Sequence, residues 1–367
     1  MQASANIQYN HVVATLAPRK VLIVLLGAIG DVTRALPLAV RIKQAWPTSE
    51  LVWAVEPTSA PLLEKHEAID RAIVFERHRG FTAYISFLRE LRRERFDVVL
   101  DLQRHLKSGF TSFSTRAETR VGFHPKNAKE GNWLFNNRYI PRVENFSAKI
   151  AHYQLFGDLL GIAPTEPLEF GLRPTAEESR EAEEFLTSEA HGSNVSLPSP
   201  ANRIAFILGS SWPSRFWPEK HYVELADELY RGFGIIALLL GARSEREIGA
   251  SLAREVPHAV LNLVEKTTLR SLVPLFSRVR VAIGSDSGPM HIAAAVGIPV
   301  ISLWGSTSPH RSAPYGSEHL VLQSPIGCSP CYRRICPGLG TLCMKLIPPR
   351  AALAAIAREV AKEEKAE

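Results

Sequence analysis

The sequence is poor in cysteine and has no long hydrophobic run. Its 367 residues include four cysteines, and no window approaches the roughly 18 consecutive apolar residues expected of a membrane-spanning helix. The N-terminal residues lack a basic start followed by a sustained apolar core, which argues against a secretory signal. These absences argue against an integral membrane protein and against a disulfide-stapled secreted domain. We therefore expect a soluble, cytoplasmic protein.

Composition indicates a folded chain with an anionic partner. Hydrophobic residues make up 46% of the chain and charged residues 22%, enough apolar material for two ordinary domains. Lysine and arginine number 43 against 37 acidic residues, so the formal net charge is +6. That excess favours phosphate, nucleic acid or a membrane surface as the partner, and charge alone does not choose among them.

Short apolar segments alternate with helix-like segments in two series. Segments that are apolar on both faces are typical of strands in a parallel sheet covered by helices. They predict strands at 21–26, 51–55, 72–75 and 97–100, and then at 203–208, 234–240, 259–263, 279–284 and 298–304. We therefore predict an α/β protein with two Rossmann-like domains. Its predicted divisions are an N-terminal domain, a linker region, a C-terminal domain and a closing helix at 1–165, 166–200, 201–345 and 346–367.

Ligands of open parallel sheets bind beyond the carboxyl ends of the strands, so the loops there form the candidate site. The first strand runs into a glycine-rich turn with Asp31 where the next helix begins. Asp31 is either a ligand-facing group or a helix N-cap, because an aspartate there accepts hydrogen bonds from free amides. The turn lacks the G-x-G-x-x-G fingerprint, which argues against a nicotinamide cofactor.

Two loops of the second series carry groups suited to a nucleotide diphosphate. Ser210, Ser211 and Arg215 follow a strand and precede a helix. Hydroxyls, free amides and a guanidinium can cradle phosphates, and a plain strand-to-helix turn is the alternative. Glu245 follows the next strand, where an acid either accepts from ribose hydroxyls or simply occupies the first turn of a helix.

The loop after 279–284 reads DSGPMHIAAAVG and carries the most specific pattern. Asp286, Ser287 and Gly288 form a turn into a small-residue helix whose N-terminal amides would face an anion. Gly288 permits close approach of a ligand to the backbone and suits a positive φ. His291 is either a ligand contact or a buried structural histidine.

Together these motifs resemble the lipopolysaccharide heptosyltransferases, glycosyltransferases that move heptose from ADP-heptose onto inner-core sugar. The first matching element runs from Gly30-Asp31 to Pro37, and the segments 101–109 and 120–123 also look like family landmarks. The remaining matches are Ser210, Ser211, Arg215 and Trp217-Pro218, and D-[ST]-G-x-x-H-x-A-A-A from Asp286 to Ala295.

The resemblance implies a GT-B fold, in which two Rossmann-like domains with parallel sheets face each other across a cleft. It also implies an inverting transfer that needs no metal or other cofactor, with Asp31 as the general base. The implied donor contacts are Ser210, Ser211, Arg215, Glu245, Asp286, Ser287, Gly288 and His291. One departure is Arg215, which stands where well-known members have lysine and presents a wider planar fork.

The implied acceptor is the phosphorylated, Kdo-bearing inner core of lipopolysaccharide, which is strongly anionic. Arg104 and Lys107 follow a predicted strand and are candidate acceptor contacts. The segment 77–97 predicts an amphipathic helix whose arginines lie largely off an apolar face of Phe81, Tyr84, Ile85, Leu88 and Leu91. That helix is either a solvated surface or a contact with the acidic cytoplasmic face of the inner membrane.

The four cysteines lie in one compact stretch, as Cys328, Cys331, Cys336 and Cys343. Their spacing is close enough to ligate a structural zinc ion, and a cytoplasmic chain should not rely on disulfides. Reduced structural thiols and a redox role are the alternatives.

Two other functions remain open from the sequence. Another GT-B nucleotide-sugar enzyme, either an ADP- or UDP-sugar transferase or a sugar-nucleotide epimerase, would share the fold and the phosphate loops. A basic nucleic-acid-binding protein with a zinc knuckle is the non-enzyme alternative. The chain lacks interleaved aromatic and basic platforms, so we expect no nucleic-acid partner.

Overall fold

The computed structural model describes residues 17–363, which form two compact units. The first unit ends at Gly171 and the second begins at Leu172. Each unit contains one six-stranded sheet in which all strand pairs are parallel. The α/β prediction with two parallel sheets is therefore confirmed. No helix in the described range has the length and apolar character that crossing a bilayer requires.

The first unit orders its strands β3-β2-β1-β4-β5-β6. The strands are β1 Lys20–Val24, β2 Glu50–Val55, β3 Arg71–Val74, β4 Val98–Asp101, β5 Thr119–Gly122 and β6 Arg138–Tyr139. The helices are α1 Ile29–Ala45, α2 Gly80–Arg93, α3 Leu106–Ser114 and α4 Lys149–Leu159.

The second unit orders its strands β12-β11-β10-β7-β8-β9. The strands are β7 Arg203–Ile207, β8 Ile236–Leu240, β9 Val260–Asn262, β10 Val281–Ser285, β11 Val300–Trp304 and β12 Val321–Gln323. The longer helices are α5 Ala176–Gly192, α6 Glu219–Phe233, α7 Arg246–Glu255, α9 Gly288–Val296 and α12 Pro349–Glu363. The shorter ones are α8 Leu272–Phe276, α10 Pro309–Ser312 and α11 Leu342–Lys345.

The two sheets have the same strand order when each is numbered from its own first strand. That order is the doubly wound one, and it reverses between the first and fourth strands of a unit. The reversal lies between β1 and β4 in the first unit and between β7 and β10 in the second. The crevice at this switch point is the general ligand site of such sheets, so the topology singles out four loops.

The nine predicted strands all form, with ends within two residues of the structure. They are recognisable because their side chains are buried on both faces, as in β8, where all five residues are buried. Three strands, β5, β6 and β12, are missing from the prediction. They are short and contain polar or exposed residues, so they lack the continuous apolar pattern of the central strands.

Residues 166–200, predicted as a linker region, contain α5 of the second unit. Thr175 and Glu178 form a capping box at the start of this helix. Arg270 donates to the Glu178 carboxylate at 2.8 and 2.9 Å, and both residues are buried. This buried ion pair fixes α5 within the second unit.

Candidate active site

Asp31 lies in the first turn of α1, beyond the carboxyl end of β1. The N-cap position is occupied by Ala28, so the carboxylate is not the helix N-cap. Its Oδ1 accepts from Arg34 Nη2 at 2.5 Å, and Lys149 Nζ lies 2.8 Å from Oδ1 and 3.1 Å from Oδ2. The side chain is 20% exposed, so the carboxylate is held between two cations and still reaches the surface.

The environment of Asp31 strongly favours its ionised form. Burial opposes ionisation, but the charges and hydrogen bonds of Lys149 and Arg34 outweigh it and hold the pKa of Asp31 well below its usual range. The hydroxyl of Tyr153 also donates to this carboxylate, and burial together with the Asp31 charge raises the pKa of Tyr153. Tyr153 therefore stays a neutral hydrogen-bond donor.

Sequence reasoning missed Lys149 and Tyr153, which α4 brings to the site from far along the chain. Lys149 is the first residue of α4, where the positive end of the helix dipole disfavours a cation. The Asp31 carboxylate offsets that cost. A lysine at the start of a helix was the only sequence feature that could have drawn attention to Lys149. Its proximity to Asp31 becomes visible only in the folded structure.

The two predicted acceptor cations follow β4 at the same switch point. Arg104 Nη2 lies 3.1 Å from His152 Nδ1, and its guanidinium stacks 4.4 Å from the centroid of the Phe123 ring. Lys107 Nζ lies 3.9 Å from the centroid of the Phe75 ring. Burial and then the neighbouring Arg77 lower the pKa of Lys107. Each of the two cations lies over the face of an aromatic ring.

A buried carboxylate, Asp101, anchors the loop that carries these cations. Its Oδ2 accepts from Asn132 Nδ2 at 2.7 Å and Asn136 Nδ2 at 3.2 Å, and its Oδ1 accepts from Gln103 N at 3.1 Å. Burial raises the pKa of Asp101 to about 6, although these hydrogen bonds oppose the rise. The network explains part of the landmark segment 101–109, because it fixes the end of β4.

Gly122 allows Asn136 to reach this network. A Cβ at position 122 would lie 2.4 Å from Asn136 Nδ2. We expect Gly122→Ala to lower the free energy of unfolding by about 1–3 kcal/mol, the usual cost of overpacking, as measured by urea denaturation. The control is Gly232→Ala in α6, where a Cβ meets nothing within 4 Å and a small stabilisation is expected. Unchanged stability in Gly122→Ala would mean that Asn136 moves freely.

In the second unit, Asp286 joins the loops that follow β7 and β10. Its main-chain oxygen accepts from Ser210 Oγ at 2.8 Å and from Arg215 Nη1 at 3.0 Å. Its carboxylate accepts from Thr307 Oγ1 at 2.9 Å and pairs with Arg215 at 3.3 Å. Three of the predicted residues therefore meet at one point, and Thr307, which follows β11, is an addition that the sequence did not indicate.

Arg215 is a partly desolvated cation. Its guanidinium lies 4.1 Å from the centroid of the Trp212 ring, and its side chain is 13% exposed. Burial lowers the pKa of Arg215, and the Asp286 charge opposes that shift. Its Nε is buried without a hydrogen-bond partner among the described residues. A desolvated guanidinium of this kind is suited to an anionic ligand.

The start of α9 lies beside this cluster. Ser287 is the N-cap residue, but its hydroxyl makes no capping bond and is buried without a partner among the described residues. Gly288 is the first helical residue, and it is not among the residues with a positive φ. His291 is buried within α9. Ser211 is exposed beside Ser210.

Glu245 is buried against the loops after β7 and β8. Its Oε2 accepts from Ala242 N at 2.8 Å, and its Oε1 accepts from Ser244 Oγ at 2.7 Å. A Cβ at Gly209 would lie 2.6 Å from the Glu245 carboxyl carbon. The Glu245 carboxylate therefore closes the turn of its own loop and lies against Gly209, and its predicted ribose contact must use the remaining lone pairs of these oxygens.

The cysteine segment runs from Cys328 to Cys343. Within residues 17–363, no group of three or more His, Cys, Asp or Glu side chains is placed to hold a metal ion, so the structure gives the zinc hypothesis no support. The four cysteines are free. Hydrogen bonds from the backbone N–H groups of Gly338, Thr341 and Leu339 lower the pKa of Cys336, whereas burial raises that of Cys343.

The same segment supports the loop that contains Arg215. Buried Ser214, next to Arg215, donates to Arg333 O at 2.7 Å, and its Oγ lies 2.9 Å from Ser306 Oγ, whose hydroxyl can donate to it. Tyr332 N donates to Ser306 O at 2.7 Å. The stretch 328–343 is thus a brace behind the loop that presents Arg215.

Two parallel sheets of one strand order, each with polar groups at its switch point, place the protein among the GT-B glycosyltransferases. The chain belongs to glycosyltransferase family 9 (heptosyltransferase), whose model matches residues 84–341. The predicted family and enzyme class are therefore confirmed.

Relatives and solved structures agree over most of the chain. The lipopolysaccharide core heptosyltransferase OpsX of Haemophilus influenzae is 30% identical over 305 residues, covering 83% of this chain and 84% of the relative. The E. coli heptosyltransferase WaaC with ADP has a TM-score of 0.73 at 25% identity, covering 93% of this chain and 99% of that one. The family 9 glycosyltransferase of Veillonella parvula has a TM-score of 0.80 at 21% identity, covering 94% and 98%.

Proposed function

We propose that this enzyme moves heptose from ADP-heptose onto the inner core of lipopolysaccharide, with inversion at the anomeric carbon and with Asp31 as the general base. The observation that carries the proposal is that the two switch points present different chemical groups. One presents an ionised, partly exposed carboxylate, and the other presents a desolvated arginine beside hydroxyls and a helix N-terminus. The names of the relatives, which include lipopolysaccharide heptosyltransferases, support this substrate class.

The donor half of the proposal assigns the diphosphate to Arg215, Ser210 and Ser211. The buried Ser287 hydroxyl and the amides at the start of α9 are further donors that a diphosphate would satisfy. Asp286, Gly288 and His291 line the sugar side, and Glu245 contacts the ribose. These donors stabilise the negative charge that develops on the departing ADP.

The acceptor half assigns proton transfer to Asp31. The acceptor hydroxyl oxygen forms the new bond to the anomeric carbon while its proton passes to the Asp31 carboxylate. The bond from that carbon to the diphosphate oxygen breaks, and ADP leaves with the electron pair. Arg104 and Lys107 are the proposed contacts of the anionic inner core, and the enzyme acts at the cytoplasmic face of the inner membrane.

The ion pairs of Asp31 set a condition on this step. A carboxylate whose pKa is far below its usual range is a weak base, whereas an effective base has a pKa nearer the working pH. An anionic acceptor can attract Lys149, which is 24% exposed, away from Asp31. Departure of that charge raises the pKa of Asp31, so acceptor binding itself strengthens the base.

The function is tested by incubating the protein with ADP-heptose and defined inner-core acceptors. We expect ADP release that depends on the acceptor, and a heptosylated product whose linkage can be mapped by NMR. Parallel reactions with UDP-sugars should release no UDP and give no product. Turnover with a UDP-sugar, or ADP-heptose turnover that ignores the lipopolysaccharide acceptor, would replace this proposal by another transferase or an epimerase.

A substitution of Lys149 tests the link between charge and base. In Lys149→Met the pKa of Asp31 rises, because the largest attractive charge is gone and burial remains. A base works only when ionised, so the acid limb of the kcat/KM profile should move to higher pH, and KM for the acceptor should rise. The control is Lys126→Met, an exposed lysine of the same unit. An unshifted acid limb would mean that Lys149 does not set the pKa of the catalytic base.

A further inference from the structure

The first unit contains a cavity of about 970 Å³ that the proposed transfer does not use. It lies where the end of α2 meets the loops that lead into β4 and β5. Five exposed arginines line it, namely Arg89, Arg92, Arg93, Arg95 and Arg116.

The packing of α2 turns these arginines outward. The buried face of the helix consists of Phe87, Leu88 and Leu91. Phe81, predicted to belong to the apolar face, is instead 76% exposed, and it lies in the first turn of α2, which begins at Gly80. The last turns of the helix therefore carry arginine on the side that borders the cavity.

These arginines have no acidic partner within ion-pair distance in the described part of the chain. The nearby Glu94 is already paired, with Lys20 and with Arg71. Two acids also line the cavity, Asp97 and Glu118, and Asp97 accepts a hydrogen bond from Lys20 N at 2.9 Å. Five positive charges against two negative ones leave the cavity strongly basic.

Two of the arginines are held in an uncommon backbone conformation. Arg95 has φ 52° and Arg116 has φ 61°, in the left-handed region that side chains other than glycine, asparagine and aspartate seldom adopt. Each immediately precedes a buried residue, Phe96 and Ala117, that anchors it to the core. The two guanidiniums are thus presented from fixed points at the cavity rather than from a free loop.

The cavity is separate from the candidate active site of the same unit. Val98 and Thr119, which line it, are the first residues of β4 and β5, whereas Asp31 follows the last residue of β1. The strands are parallel, so the cavity lies at their amino ends and Asp31 at their carboxyl ends, roughly 15 Å apart for strands of this length.

We propose that this cavity binds a ligand that carries more than one phosphate group. Arginine forks match phosphate oxygens in pairs, and a cluster of unpaired guanidiniums lowers its own repulsion by binding a polyanion. The phosphates come either from the headgroups of an anionic lipid layer or from a free oligophosphate. The inference is independent of the proposed transfer, because it uses none of the residues assigned to that reaction.

The test compares two double variants of the full chain with ADP present in excess, so that the donor loops are occupied. Arg93→Gln/Arg116→Gln removes two charges from the cavity, and Arg254→Gln/Arg358→Gln removes two exposed charges from the second unit. One arm titrates tripolyphosphate by calorimetry. The other measures sedimentation with phosphatidylcholine vesicles that contain or lack phosphatidylglycerol.

We expect the cavity variant to lose binding by about twenty-five-fold, from about a fivefold loss per arginine near an anionic surface, while the control variant binds as the wild type does. Loss confined to the vesicle arm identifies lipid headgroups, and loss confined to calorimetry identifies a free oligophosphate. Equal binding by all three proteins, no binding of either probe, or an equal loss in both variants overturns the proposal. Arg89→Gln/Arg92→Gln replaces the cavity variant if that protein fails to fold.

Discussion

Replacing Asp31 by asparagine is expected to lower kcat by roughly a hundredfold or more, the range for loss of a general base, while ADP still binds. Asparagine keeps the size of the side chain and can still accept from Arg34 and Lys149, but it cannot take the acceptor proton. Steady-state kinetics with ADP-heptose measures the first effect, and calorimetry with ADP measures the second.

The matched control for this substitution is Asp158→Asn. Asp158 also pairs with an arginine, Arg41, at 2.7 Å within the first unit, and it plays no part in the proposed reaction. Its kcat should be unchanged. Near-normal turnover in Asp31→Asn would leave the carboxylate as a structural partner of Arg34 and Lys149 and would place the base elsewhere.

Removing the Arg215 side chain is expected to weaken ADP binding by about 1.5–3 kcal/mol, the usual contribution of a charged hydrogen bond. The loss has a second cause, since Arg215→Ala also leaves the Asp286 carboxylate without its cation near the diphosphate. Isothermal titration reads the change directly. Arg254→Ala, an exposed arginine on α7, should bind ADP normally.

Arg215→Lys separates charge from geometry at the same position. Lysine keeps the positive charge but loses the planar fork and its stacking on Trp212. Intermediate ADP affinity would mean that both properties contribute. If Arg215→Ala binds ADP as tightly as the wild type, the diphosphate does not lie against this loop.

The sequence predicted the loops of the site better than their partners. Asp31, Arg215 and Asp286 each follow a buried strand, and parallel topology assigns a function to such positions before any contact is known. The prediction could not extend to Lys149 or Thr307, because their roles arise only when distant segments are packed together. Contacts between distant segments produce no periodicity or characteristic spacing in the sequence, so the sequence alone does not predict them.

The same limit explains the errors of detail. Glycine at position 288 is compatible with a positive φ, but its place as the first residue of α9 gives it an ordinary helical conformation. Phe81 fits the apolar stripe of an ideal helix, yet it is exposed in the first turn of α2, whose buried residues lie further along the helix. The local sequence pattern predicts which face of a helix is apolar. The elements packed against the helix determine how much of that face is buried.

The pair between Lys149 and Asp31 also bears on the fidelity of the enzyme. Water is a competing nucleophile at every activated sugar, and a strong base facing the donor would promote wasteful hydrolysis. A carboxylate neutralised by lysine until an anionic acceptor arrives has little tendency to deprotonate water. In the proposed reaction, the ion pair would therefore preserve the activated sugar for its intended acceptor, and the weakness of the resting base would be an advantage.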